Sequence, residues 1–129
     1  MSFKAKLTID EEDINVLHCG YRFSQLTDAT GKPTAIPQGG TINLVVESDG
    51  ATDLFDWMIS PTQTKSGVIT FLRRDEKSKL KTLRFTDAHC VDYYETFDHV
   101  GDEPMQIQLT ISAREIKLNE SEFKNNWPE

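Results

Sequence analysis

Cysteine is scarce in this chain, and long apolar runs and an excess of positive charge are missing from it. Two cysteines in 129 residues do not make a disulfide scaffold. No run of about 18 apolar residues occurs, so no membrane-spanning helix and no membrane insertion are expected. Lys and Arg number 14 against 21 Asp and Glu, a formal charge of −7. That balance argues against wholesale binding of phosphate backbones, and nucleic acid is not expected as a partner. The opening MSFKAKLTIDEED contains no apolar h-region, so no ordinary secretory signal is expected, and the default location is the cytoplasm. A G-x-S-x-G elbow, a P-loop, a dinucleotide glycine fingerprint and H-E-x-x-H are absent too. No catalytic residue, cofactor or metal ligand is assigned on these grounds, and an enzyme is not expected.

What is present is material for one modest core. Hydrophobic residues make up 37% of the chain and charged residues 27%, too apolar for a disordered tail. With no repeat, linker or low-complexity tract, residues 1–129 read as a single domain. The charge is uneven: −3 over residues 1–50, +2 over 51–90 and −6 over 91–129. Arg73, Arg74, Lys77, Lys79, Lys81 and Arg84 face only Asp75 and Glu76 in the middle block. Interleaved stacking aromatics are missing there, so the cluster reads as a solvated hairpin tip, or as a basic patch for acidic surface on another copy.

The dominant period is two, the signature of half-buried strands. Phe3, Ala5, Leu7 and Ile9 alternate with Lys4, Lys6 and Thr8. After a polar turn, Ile14 and Val16 give way to Leu17, Cys19, Tyr21 and Phe23, a phase change that predicts a bulge or bend. Further strands are expected at Ile42–Leu44–Val46, over 68–74 and over 80–97. The cleanest runs through Met105, Ile107, Leu109, Ile111 and Ala113, then shifts phase to Ile116 and Leu118. One segment reads as helix: Leu54, Trp57 and Met58 share a face, with Phe55 and Ile59 alongside. Thr52 is the expected N-cap and Pro61 the stop. Two turns cannot stand alone, so the helix must dock on the sheet or plug a barrel end. Long bent strands with phase switches predict an all-β fold, a compact antiparallel β-barrel with one short α-helix and an extended loop. A sandwich is the second choice.

His18-Cys19 and His89-Cys90 form matching dipeptides, the best case for a metal. In paired strands His18 faces His89 and Cys19 faces Cys90, but neighbours in a strand point to opposite faces, so the four do not converge on one ion. A Cys19–Cys90 disulfide is the rival reading, against a reducing cytoplasm; two small buried thiols in a barrel wall fit better. Asp92, Glu95 and Asp98 sit among Tyr93, Tyr94 and Phe97, and read as a polar strand face rather than an acid–base pair.

The segment TDATGKPTAIPQGG, residues 27–40, excludes helix and central strand through Gly31, Pro33, Pro37, Gly39 and Gly40. Asp28 and Thr30 offer local backbone hydrogen bonds, and Gly31 can take positive φ. Fourteen residues is long for a hairpin connection. Ala35 and Ile36 are wasted in solvent, so an arm packing on another subunit is the expected use; a floppy loop tip is the alternative.

FKAKLTIDEEDINVLHCGYRFSQLTDATGKP, GGTINLVVES, LFDWM, YYETFD and MQIQLTISAREIKL together resemble the tube protein of type VI secretion systems, the Hcp or TssD family, in its bacteroidete branch. The resemblance covers essentially the whole chain, and the final FKNNWP resembles the family's ending, with Trp127 packing on the barrel or the next subunit. It implies a β-barrel with one helix, a homo-hexameric ring, and rings stacked into a hollow tube. It also implies partners in the sheath, spike and effector proteins, small effectors in the lumen, and export through the apparatus without a signal peptide. Asp28, Thr30, Gly31, Lys32 and Pro33 fall where the family's extended loop reaches the adjacent ring, which implies a ring-stacking role. Gln106, Gln108, Thr110 and Ser112 form an uncharged polar row, expected near the lumen or a subunit seam. A competing reading is a non-catalytic or weakly catalytic small β-barrel that binds a small ligand; a phage-type tail tube shares the architecture.

Overall fold

Strict alternation of apolar and polar side chains gives strands that bury one face, and closing their sheet on itself removes the exposed edges. A computed structural model of the chain describes residues 3–34, 37–48, 50–73, 79–97 and 105–125. Arg74, Lys77, Ala35, Ile36, Asp98, Trp127 and the third histidine, His99, lie outside the described residues. The elements are β1 (Phe3–Ile9), β2 (Glu12–Ser24), β3 (Gln38–Glu47), α1 (Asp53–Ile59), β4 (Lys65–Arg73), β5 (Lys79–Thr96), β6 (Gln106–Leu118) and β7 (Ser121–Lys124). Their order in the sheet is β3-β2-β1-β4-β5-β6-β7, and an additional β3–β6 pairing closes β1 to β6 into an antiparallel barrel. One edge of β6 serves two strands. Its first half pairs with β3, from Gln106 opposite Glu47 to Ser112 opposite Thr41, and Glu115 to Leu118 pair with β7.

The phase changes in the sequence are places where a strand turns a corner. In β2 the register slips between Val16 and His18, leaving Leu17 as the extra residue. Leu17 is 42% exposed, so the expectation that it faces inward with Cys19 and Tyr21 is corrected: a bulge pushes its residue out. In β5 the slip lies between Cys90 and Asp92, and Val91 is likewise exposed. A third switch involves two paired strands at one place. Leu83 and Phe85 are buried opposite Leu118 and Ile116; further along, Ala88 and Cys90 are buried opposite Ala113 and Ile111. Asp87, with φ of 51°, reverses the facing there, and its N–H donates to Ser66 Oγ at 3.1 Å.

Inward side chains from all six barrel strands fill the interior, among them Leu7, Ile42, Leu44, Ile69, Phe85, Leu109 and Ile111. Helix α1 adds Leu54 and Trp57 to this core. The Trp57 indole Nε1–H donates to the Ala88 carbonyl at 3.1 Å, fastening the helix to the β5 corner. Thr52 is not a side-chain cap. Its φ and ψ of −112° and 12° are not the extended cap conformation, and only its carbonyl takes part, accepting from Asp56 N–H at 2.9 Å. Phe55 and Ile59 lie on the exposed side of the helix.

β2 and β5 are not neighbours in the barrel, so the in-register pairing considered for His18-Cys19 and His89-Cys90 does not occur. His18 lies opposite Val45 on β3, and His89 opposite Ser112 on β6. Both cysteines are free; Cys90 is buried and Cys19 partly so. Burial pushes each thiol up to about 11, which disfavours the reactive thiolate. Neither thiol is expected to react with Ellman's reagent in the native protein at neutral pH, and both react at once in denaturant. Fast native labelling of either would contradict the burial described.

Candidate functional site

The connection from β2 to β3 leaves the barrel as an arm. Every residue from Arg22 to Thr34 is exposed, including Leu26 at 61%. The arm is nevertheless ordered by its own hydrogen bonds. Asp28 Oδ1 accepts from Thr30 N–H at 2.9 Å, Thr30 Oγ1–H at 2.7 Å and Lys32 N–H at 3.0 Å. Asp28 N–H donates to the Lys32 carbonyl at 2.9 Å, and Gly31 N–H to the Asp28 carbonyl at 3.0 Å. Thr34 N–H reaches the Leu26 carbonyl at 2.8 Å, and a bridge joins Thr27 to Pro33. Gly31 has φ of 88°, as its place in the turn requires. A floppy tip was the alternative for this segment; the described part is a small self-bonded hairpin, and β3 begins already at Gln38.

Hydrogen bonds from Thr30, then the backbone N–H groups around it, hold the Asp28 carboxyl below its usual range. A depressed carboxyl stabilises the tip above its unfolded value and loses that contribution as pH falls through the lower folded value. The Thr30 and Lys32 amides are therefore expected to stay protected from exchange at neutral pH and to lose protection in acid. Asp28→Ala removes the protection at every pH and leaves the barrel's melting unchanged.

The Gln106, Gln108, Thr110 and Ser112 row lies on the outer face of the barrel wall, opposite the buried Ile107, Leu109 and Ile111. On β3 its neighbours are Glu47, Val45, Asn43 and Thr41. Thr110 Oγ1–H donates to Asn43 Oδ1 at 2.9 Å. Beyond Glu47 at its rim, this row and its β3 neighbours carry no formal charge, and Val45 is the one apolar residue among them.

Two further surfaces were not singled out from sequence. Phe55 stacks edge to face on Tyr93 with ring centroids 5.6 Å apart, and Ile59 on α1 and Phe97 just after β5 are exposed as well, whereas exposed Tyr94 lies opposite Gln108 on the other face of the strand. Around them Glu95 accepts from Ser48 Oγ–H at 2.8 Å and from Tyr93 O–H at 3.1 Å, a structural use of the carboxylate considered for acid–base work. The second surface is a cleft of about 310 Å³ at the barrel end away from the arm, between the β1–β2 turn, the end of β3 and the start of α1. Ile9, Ile14, Leu54 and Ile107 line it beside Asp10, Glu12, Asp13, Glu47 and Asp53. The DEED run at residues 10–13 was the signal for it. Among the described residues no group of three or more His, Cys, Asp or Glu side chains is placed to hold a metal ion. No described helix is long and apolar enough to cross a membrane.

The fold is a closed barrel with a filled interior and a projecting ordered arm. The family model described as "Hemolysin coregulated protein Hcp (TssD)" matches residues 1–128. The structure of Hcp1 from Flavobacterium johnsoniae is similar with 41% sequence identity and a TM-score of 0.89, covering 95% of this chain and 99% of that one. Hcp1 from Salmonella typhimurium shares the fold at 14% identity and a TM-score of 0.75, covering 95% and 92% of the two chains. A chain from the sheath–tube complex of an extracellular contractile injection system, at 20% identity and a TM-score of 0.55, covers 89% and 87%. None of the curated proteins compared with the chain matches it. This chain belongs to the Hcp (TssD) family, in the company of a bacteroidete member. It is a structural tube protein of type VI secretion.

Proposed function

We propose that residues 1–129 act as one tube-subunit domain, that six copies form a ring, and that rings stack into the hollow inner tube of a type VI apparatus. The arm carries this reading. The exposed residues from Leu26 to Thr34, held in one shape by their own hydrogen bonds, are ordered for a surface other than their own barrel. Asp28, Thr30, Gly31, Lys32 and Pro33 then form the stacking tip. The exposed aromatic and aliphatic groups on α1 and at the end of β5 supply apolar area for the lateral contact between neighbours in a ring.

Gln106, Gln108, Thr110 and Ser112 line the lumen or the seam beside it. A neutral polar wall tolerates water and attracts no cargo charge of either sign, which suits a channel for varied small effectors. Sheath, spike and effector proteins are the partners, and the chain leaves the cell through the machine itself. The small-ligand alternative is disfavoured by the side chains that occupy the barrel interior.

Gel filtration with light scattering tests the ring. The expected mass is near six times 14.7 kDa. A monodisperse monomer at high protein concentration overturns the proposal.

A further inference from the structure

The arm and the acidic cleft lie at opposite ends of the barrel. β2 starts beside the cleft at Glu12 and ends at Ser24, where the arm begins; β3 returns from Gln38 to Glu47, beside the cleft again. Thirteen residues of β2 separate them, on the order of 40 Å along the strand. No chain can place its own tip in its own cleft. A second copy displaced along the barrel axis can, and a contact of that kind is heterologous and repeats without closing.

We propose that this cleft receives the arm tip of a copy in the next ring, with Lys32 entering among Glu12, Glu47 and Asp53. The inference rests on the stacking reading above and adds where the arm lands. Charge on the two surfaces supports it. Asp10 is paired with Lys65, and Asp13 with Lys6 at 3.5 Å. Among the described residues Glu12, Glu47 and Asp53 have no ion-pair partner, and neither has Lys32. On the tip, Asp28 turns its carboxylate onto the amides of Thr30 and Lys32, so the outward-facing charge is the Lys32 ammonium.

The apolar parts also match. The cleft exposes an edge of Ile14 over the buried Ile9, Leu54 and Ile107, and the arm carries exposed Leu26 and Pro33. At about 310 Å³ the cleft suits one or two side chains, as a tip inserting Lys32 requires, rather than a whole segment. Attraction of opposite charges sets the register of such a contact and weakens as salt rises.

Disulfide trapping tests the landing site, even where stacking is transient. Ala29 on the tip and Ala51 on the cleft are both exposed. The Ala29→Cys/Ala51→Cys double variant, oxidised in low salt, is expected to give a ladder of cross-linked chains on a non-reducing gel. Pairing Ala29→Cys with Thr62→Cys, exposed but outside the cleft lining, should lower the yield roughly tenfold. Adding Lys32→Glu to the first pair suppresses the ladder, and adding Glu47→Lys to that variant restores it. A ladder equally strong in the control pair, or indifferent to Lys32→Glu, overturns the proposal. Light scattering on the same reduced protein separates the two levels. Rings that yield no ladder reject the landing site alone, and monomers that yield none reject the ring reading as well.

Discussion

Trp57→Ala lowers the free energy of unfolding by about 3–5 kcal/mol, a large share of the roughly 5–15 kcal/mol that holds a domain folded. Trp57 is 1% exposed and is the largest fully buried side chain among those described. It shares the docking of α1 with Leu54, the other buried residue of that helix. Seven residues cannot remain helical without this contact. The substitution also strips the Ala88 carbonyl of its indole donor at the corner where β5 changes face. Guanidinium unfolding at matched protein concentration measures the loss, since assembly adds to apparent stability. Trp57→Phe separates the two contributions: it keeps most of the buried area and removes only the indole donor, at about 1–3 kcal/mol. A Trp57→Ala barrel as stable as the parent would contradict the docking described.

Gly40→Ala costs about 2–4 kcal/mol, combining backbone strain with a collision. Gly40 has φ of 99°, and a Cβ there meets the Ala113 carbonyl oxygen at 2.7 Å and Asn125 Nδ2 at 2.4 Å. The first is backbone of the neighbouring β6 and cannot swing aside. Asn125 is itself a clamp, donating through Nδ2 to the Gly39 carbonyl at 3.1 Å and to the Ala113 carbonyl at 3.0 Å. At adjacent Gly39 a Cβ would fall 2.1 Å from the Phe23 ring, which stacks on Phe123 of β7. The GG pair thus lets β2, β3, β6 and β7 meet where the barrel closes. Gly31→Ala is the internal control: its φ is 88° but nothing lies within 4 Å, so it should cost only about 1–2 kcal/mol of strain. Equal effects at the two positions would show that crowding at Gly40 is not decisive.

Much of this barrel is legible in its alternation. The inward rows Leu7–Ile9, Ile42–Leu44–Val46 and Ile107–Leu109–Ile111 are buried as a period of two requires. The phase shift from Ala113 to Ile116 does mark a corner. Pairing was not legible, because which strands meet is set by barrel closure, and period says only which face points in; whether His18-Cys19 lies beside His89-Cys90 could not be read for that reason. Leu17 misled because a bulge exposes its residue whatever its hydropathy. β7 is four residues long and too short to show a period. At the arm, residue types gave the turn, the local hydrogen bonding of Asp28 and Thr30 and the positive φ at Gly31, but not that the single Asp28 carboxylate gathers three donors. The acidic cleft was visible only in part, because Glu47 and Asp53 join the DEED run through the fold.

Imaging the purified protein by electron microscopy tests the central claim, a ring-forming tube subunit, most directly. The predicted result is an end-on view with six-fold symmetry and an open centre, whose reconstruction puts Gln106, Gln108, Thr110 and Ser112 at the bore or the seam beside it. Single barrels with no ring, or a ring that carries this row wholly on its outer wall, would contradict the account.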